Sequence, residues 1–198
     1  MSVLPKLSID YNKEYAIKMS EEIIMLNPTE FQHFKQGESN NISWKWMHLP
    51  MKTEGKQLSK IVLHNKCDLP LHVTNLIRFE TNSKADIPLV YYSVSKSAII
   101  LYDGKDYRLF GSISDQGKCG KFSTRLINMD NWARGTTLPF QPLTKGSNGW
   151  GMEFDFILPS HSSTFFYEWE LKSEHLYEIE ELHSQYQLLL GEKVHSNK

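Results

Sequence analysis

The strongest constraint on this chain is a pair of alternating runs close to one another. Between Trp150 and Leu158, the residues Trp150, Met152, Phe154, Phe156 and Leu158 take every second position, with Gly151, Glu153 and Asp155 between them. Further on, Phe165, Tyr167, Trp169 and Leu171 alternate with Phe166, Glu168 and Glu170. A period of two belongs to extended chain, whose side chains point alternately to opposite faces. A helix would scatter these rings around its axis instead of gathering them on one side. The Pro159 to Ser163 turn separates the runs, which predicts an antiparallel strand pair. Its aromatic face would be core, and its carboxylates Glu153, Asp155, Glu168 and Glu170 would face solvent.

The same period recurs upstream. Ile42, Trp44, Trp46 and His48 alternate with Ser43, Lys45, Met47 and Leu49. Residues 60–65, 71–80, 89–92 and 98–102 read as further strands. Asp103-Gly104 is a strong hairpin signal, with Tyr107 and Leu109 on the return arm. Residues 114–121 are turn-like, 122–127 read as another strand, and 129–149 as an irregular loop long enough to suspect of function. Nearer the start, residues 2–10 suit a short strand broken by Pro5. Residues 12–26 fit neither period, so a helix over 12–20 and a pair of short strands both stay open. After Leu171 the period changes. Leu176, Ile179, Leu182, Tyr186 and Leu189 recur at helical spacing, with Ser173 as N-cap and Gly191 as stop, which predicts an amphipathic helix over 173–190.

These elements predict a mainly β fold, an antiparallel β-sandwich with a C-terminal amphipathic α-helix. The expected organisation is a sandwich over residues 1–172, the helix over 173–191 packed on an edge or an open face, and a flexible tail at 192–198. A chain of 198 residues, 40% hydrophobic and 23% charged, has ordinary globular composition. At this size roughly 70% of the unfolded chain's surface is buried, so no staple is required. The 22 basic residues balance the 23 acidic ones, so neither nucleic acid nor an anionic membrane is expected as partner. Cys67 and Cys119 are too few for a disulfide framework. With no signal-like apolar run at Met1 to Asp10 and no run of 18 or more apolar residues, the expectation is a soluble, cytoplasmic protein.

The chemistry-bearing residues form no catalytic signature. His64, Cys67, Asp68 and His72 lie close together but lack paired zinc spacing, so no metal site is expected. Gly117-Lys118-Cys119-Gly120 lacks the strand-turn-helix context of a phosphate loop, and an exposed thiol at Cys119 is the plainer reading. The two carboxylate pairs have the separation of a glycosidase pair, but a solvated sheet face shows the same pattern. No cofactor is expected, and an enzyme is the less favoured class.

One aromatic residue stands apart. Trp132 lies in the polar stretch Asp130-Asn131-Trp132-Ala133-Arg134-Gly135, where an indole either plugs the loop or is held out as a platform. Around it, Leu109-Phe110-Gly111-Ser112 precedes Asn131-Trp132 and Leu138-Pro139-Phe140. Then come Trp150, Leu158-Pro159, Ser162-Ser163-Thr164 and Phe165-Phe166-Tyr167-Glu168. In this order, residues 107–171 resemble starch- and glycogen-binding β-sandwich modules. The chain departs from that pattern in about fourteen extra residues over 115–128, in Glu168 where those modules carry Lys, and in lacking their second binding Trp.

The resemblance implies a non-catalytic module that binds an α-glucan, with Trp132 stacked on the sugar and Asn131 and Asp130 bonding its hydroxyls. The competing reading is a protein-interaction or assembly protein, a homo-oligomer included, whose surface is a sheet edge or the helix through Leu176, Ile179 and Leu182. The expected partner is accordingly a polysaccharide or another protein.

Overall fold

The computed structural model describes residues 10–20, 22–28, 33–49, 51, 55–81, 88–115, 120–136, 138 and 140–195, with side chains to residue 191. Its strands begin with β1 (Tyr11–Lys18), β2 (Ile23–Leu26), β3 (Phe34–Glu38), β4 (Ile42–Leu49), β5 (Lys56–Asn65) and β6 (Leu71–Thr81). They continue with β7 (Leu89–Ser93), β8 (Ala98–Tyr102), β9 (Tyr107–Ser114), β10 (Lys121–Ser123), β11 (Leu143–Lys145), β12 (Gly149–Leu158) and β13 (Ser163–Ser173). Two helices, α1 (Met129–Ala133) and α2 (Leu176–His195), complete the set. The segment left open between helix and strands is extended, as β1 and β2. The strand suggested over residues 2–10 and the Cys119 thiol fall outside the described residues.

The strands form two antiparallel sheets packed face to face, which is the expected sandwich. One has five strands in the order β10-β12-β6-β1-β2, the other eight in the order β11-β7-β8-β9-β13-β5-β4-β3. The principal core lies between them. Ile17, Ile77, Phe79, Trp150, Met152 and Phe156 come from the smaller sheet, and Ile42, Trp46, Ile61, Leu63, Phe110 and Phe166 from the larger. Pairs of rings cross the gap, with Phe154 and Phe166 centroids 4.9 Å apart and Phe79 and Phe110 4.7 Å apart.

Three expectations need correction. First, the runs at 150–158 and 163–171 do not pair with each other. β12 bonds to β6 and β10, whereas β13 bonds to β5 and β9 in the opposite sheet. The chain arches from one sheet to the other over residues 159–162. The buried Asn65 side chain clamps this arch, its Nδ2 donating to the carbonyls of Leu69, Leu158 and Pro159 at 2.9, 3.1 and 3.0 Å. Alternation reports strand and facing but carries no information about which strand lies alongside.

Second, β13 has no solvated face. Phe166, Glu168 and Glu170 point into the inter-sheet space, and Trp169 and Leu171 point the other way under α2. The Glu168 and Glu170 carboxylates are therefore interior, 2% and 6% exposed. Third, residues 129–149 are not wholly irregular, since they contain α1 and β11.

The helix α2 builds a second core on the outer face of the larger sheet. Ile179 is buried there with Ile100, Leu109, Trp169 and Leu171, and Leu176, Leu182 and Tyr186 pack around it. Gly111 on β9 makes this close approach feasible. A Cβ there would lie 2.4 Å from Trp169 Nε1 and 2.6 Å from His183 Nδ1. Trp169 Nε1 donates to His183 Nδ1 at 3.1 Å, and His183 Nε2 lies 2.8 Å from the Lys96 carbonyl. The buried imidazole thus ties helix, β13 and the β7–β8 turn together. No helix among the described residues is long and apolar enough to cross a membrane.

Candidate functional site

The outer face of the smaller sheet carries the segment that links β10 to β11. Leu76 of β6 and Ala16 of β1 project outward there and meet Ile127, Trp132 and Leu138 in a third, small core. Two features bring this segment close. Gly151 leaves room for Ile127, since a Cβ would lie 2.4 Å from Ile127 Cδ1 and 2.7 Å from the Ile77 carbonyl oxygen. Arg78 Nε donates to the Ile127 carbonyl at 3.1 Å, while its Nη atoms pair with Glu14 and Glu80, each at 2.6 Å. At the start of α1 the Asn128 side chain caps the helix by accepting from the Asn131 N–H at 2.9 Å.

Trp132 is 1% exposed. Its indole N–H donates to Glu153 Oε2 at 2.6 Å, and the Lys18 ammonium sits over the ring at 4.3 Å while donating to the Trp132 carbonyl at 2.9 Å. The indole therefore plugs the segment against the sheet, and the expectation of an exposed stacking platform is corrected. A large ring that can reach both an apolar bed and a carboxylate acceptor is favoured by burial and hydrogen bonding together. Asp130 and Asn131 remain exposed on α1.

Beside this plug runs an open groove of about 660 Å³. Its floor is the outward face of β6 and β12, with His72, Thr74, Glu153 and Asp155; Lys18 and Lys121 flank it, and the 133–136 turn roofs it. Glu153 Oε1 accepts from Lys121 at 2.7 Å, so both of its oxygens are engaged. Asp155 accepts from Thr74 Oγ1 at 2.8 Å and from Lys121 Nζ at 3.1 Å. Partial burial works against the charged form of Asp155, but the Thr74 hydroxyl and the Lys121 ammonium outweigh it and hold the carboxyl below its ordinary range. Lys121 is held above its ordinary value, chiefly by the hydrogen bond to Glu153. Among the described residues no group of three or more His, Cys, Asp or Glu side chains is arranged to hold a metal ion.

Of the residues singled out in sequence, His72, Glu153 and Asp155 lie in this groove; Asp155 is exposed as expected, but Glu153 is 4% exposed beneath Trp132, which corrects the expectation that it faces solvent. Lys18, Thr74, Lys121 and Arg134 were missed. Each lies far in sequence from the others or in a segment without periodic signal; the register of β1, β6, β10 and β12 brings the first three together, and the docking of Ile127 and Trp132 on the sheet brings Arg134 over them.

The residues proposed for a partner surface on α2 also need correction. Leu176, Ile179 and Leu182 face the molecule's own sheet. Among its described side chains, the large apolar residues that α2 exposes are Tyr177, Leu188 and Leu189. An apolar hollow of about 300 Å³ lies beside the last of these, lined by Met51, Leu58, Tyr186, Leu189 and Leu190.

No family model matches the chain, and no curated protein matches it. Among solved structures it is similar to a polysaccharide lyase at 8% identity with a TM-score of 0.49. That match covers 83% of this chain, which spans 26% of the lyase.

Proposed function

We propose that this chain is a non-catalytic binding module that takes a carbohydrate in the groove beside the Trp132 plug. The observation that carries the reading is the groove itself. Hydroxyl, ammonium, guanidinium and carboxylate groups converge on a channel open along its length, and most are mounted on strands that hold them in place. Hydrogen-bonding groups on a rigid face suit a hydroxyl-rich polymer, and Pro70 and Leu71 add apolar surface for its C–H faces. Trp132 serves by fixing the roof and by orienting Glu153, and Asp130 and Asn131 lie next to the roof rather than within the lining.

Binding fits the carboxylates better than glycoside cleavage does. A glycosidase needs one carboxyl that keeps its proton to deliver to the leaving oxygen. Here Asp155 is held ionised, and both oxygens of Glu153 already accept from the protein. The test is affinity electrophoresis in gels cast with glycogen, with a neutral β-glucan or with a pectate. Retardation in at least one gel, lost in Arg134→Ala with the fold intact by circular dichroism, is the expected result. Free migration of the unaltered protein in every gel would reject the reading.

A second reading, self-association through α2, draws on the exposure of Tyr177, Leu188 and Leu189. Light scattering decides it: a mass that rises with concentration and falls back to the monomer in Leu189→Asp would favour assembly.

A further inference from the structure

The donors and acceptors in the groove are unevenly spent, and from this we infer that its ligand is an acidic saccharide, one bearing carboxylate or sulfate groups. The inference rests on the groove being the carbohydrate site. Three cationic side chains, Lys18, Lys121 and Arg134, line it against the two carboxylates Glu153 and Asp155. Each carboxylate oxygen already accepts one bond from the protein: Lys121 bridges Glu153 and Asp155, Trp132 takes the other Glu153 oxygen, and Thr74 the other Asp155 oxygen. A neutral sugar, each of whose hydroxyls brings one donor, would have only the remaining lone pairs of these oxygens to bond.

The spare capacity lies with the donors. Arg134 is exposed on the roof, and its guanidinium makes no hydrogen bond or ion pair to any described residue. Five N–H groups in a fixed fork are therefore available, the geometry that matches a carboxylate or sulfate. The Lys18 ammonium directs one N–H at the Trp132 carbonyl and rests on the indole, leaving two further N–H groups. Lys18 is half-buried between the Trp132 ring and the sheet, so its charge is less screened than that of a free surface lysine. His72, exposed on the floor beside Asp155, adds a further positive charge when protonated. A groove whose carboxylates are each engaged by the protein and whose cations keep unspent N–H groups selects a ligand that brings acceptors of its own.

Isothermal titration of the full chain with a short oligogalacturonate, a malto-oligosaccharide and inorganic sulfate, at about 0.15 M salt to screen diffuse attraction, tests this. The uronate oligomer is expected to bind at least about tenfold more tightly than the neutral one, and Arg134→Gln and Lys18→Gln to weaken it by about tenfold each. Binding of the neutral oligomer as tight as or tighter than the uronate would overturn the acidic preference and leave the carbohydrate reading standing. Sulfate binding as tight as the oligomer would overturn the saccharide assignment in favour of a simple anion. If Arg134→Gln, which breaks no contact and should fold normally, leaves the uronate affinity unchanged, the cation assignment fails. Absence of binding by every probe would sink both this inference and the functional reading beneath it.

Discussion

At Trp132 one nitrogen decides the side chain's role. The indole N–H lies 2.6 Å from Glu153 Oε2, and the same carboxylate takes the Lys121 ammonium 2.7 Å away. Trp132→Phe keeps most of the apolar contact with Leu76 and Ile127 but removes a donor from a carboxylate that is 4% exposed. The expected cost is about 1–3 kcal/mol, read as a lower denaturant midpoint with an unchanged slope. Trp132→Ala should cost more, about 3–5 kcal/mol, because a cavity is added. If Trp132→Phe were as stable as the parent, the hydrogen bond would not be holding the roof. The sequence pointed to Trp132 as an indole stranded among polar residues. It could not show that Glu153, twenty-one positions away in sequence, supplies the acceptor that makes burial favourable.

Among the elements, α2 shows how a correctly read helix can face an unexpected way. Its apolar stripe was plain in the spacing of Leu176, Ile179 and Leu182, and a stripe of that kind must cover something. What it covers is the outer face of β9 and β13, and Gly111 sets the distance. Gly111→Ala places a methyl where Trp169 and His183 already stand, so helix and sheet must separate locally. A loss of about 1–3 kcal/mol is expected. Faster amide exchange along α2 than in β6 or β12 should accompany it, because the second core would loosen while the first stays intact. Uniform acceleration across both sheets would instead mean that the two cores unfold as one unit. The same packing explains why β13 was misread as half-solvated: a strand covered on both faces still alternates, with carboxylates inside.

In the molecule as a whole, the two sheets are joined by charge as well as by aromatic packing. Lys13 of β1 reaches Glu168 of β13 at 2.5 Å, and the Tyr15 hydroxyl donates to the same oxygen at 2.6 Å. Nearby, Arg108 of β9 lies 3.4 Å from Glu170. Burial works against the charged ammonium of Lys13, but the Glu168 carboxylate overrides it and holds the lysine above its ordinary value. Burial and the same carboxylate both raise the Tyr15 phenol. Each group therefore keeps its proton in the native state at pH values where the unfolded chain releases it. Stability is whole below about pH 10, where both forms are protonated, and declines as the pH rises past that point. Urea midpoints across the alkaline range should fall, and fall less steeply in Tyr15→Phe, which has no phenol to titrate. Equal slopes in the two proteins would contradict the linkage. Breaking the pair with Glu168→Ala leaves a buried ammonium and is expected to cost about 3–5 kcal/mol.

What the residues determined unaided was the kind of most of the longer elements and where they turn. Alternation is a property of consecutive side chains, so the strands from β4 onward other than β11, the Asp103-Gly104 hairpin and the change of period into α2 could be read locally. Partnership could not. Which sheet received β12 and which β13, which acceptor met the Trp132 nitrogen, and which cations came to share a groove depended on contacts between residues far apart in the chain. Those contacts form when separate apolar faces are buried together, and the energy that selects among the arrangements exists only in the assembled fold.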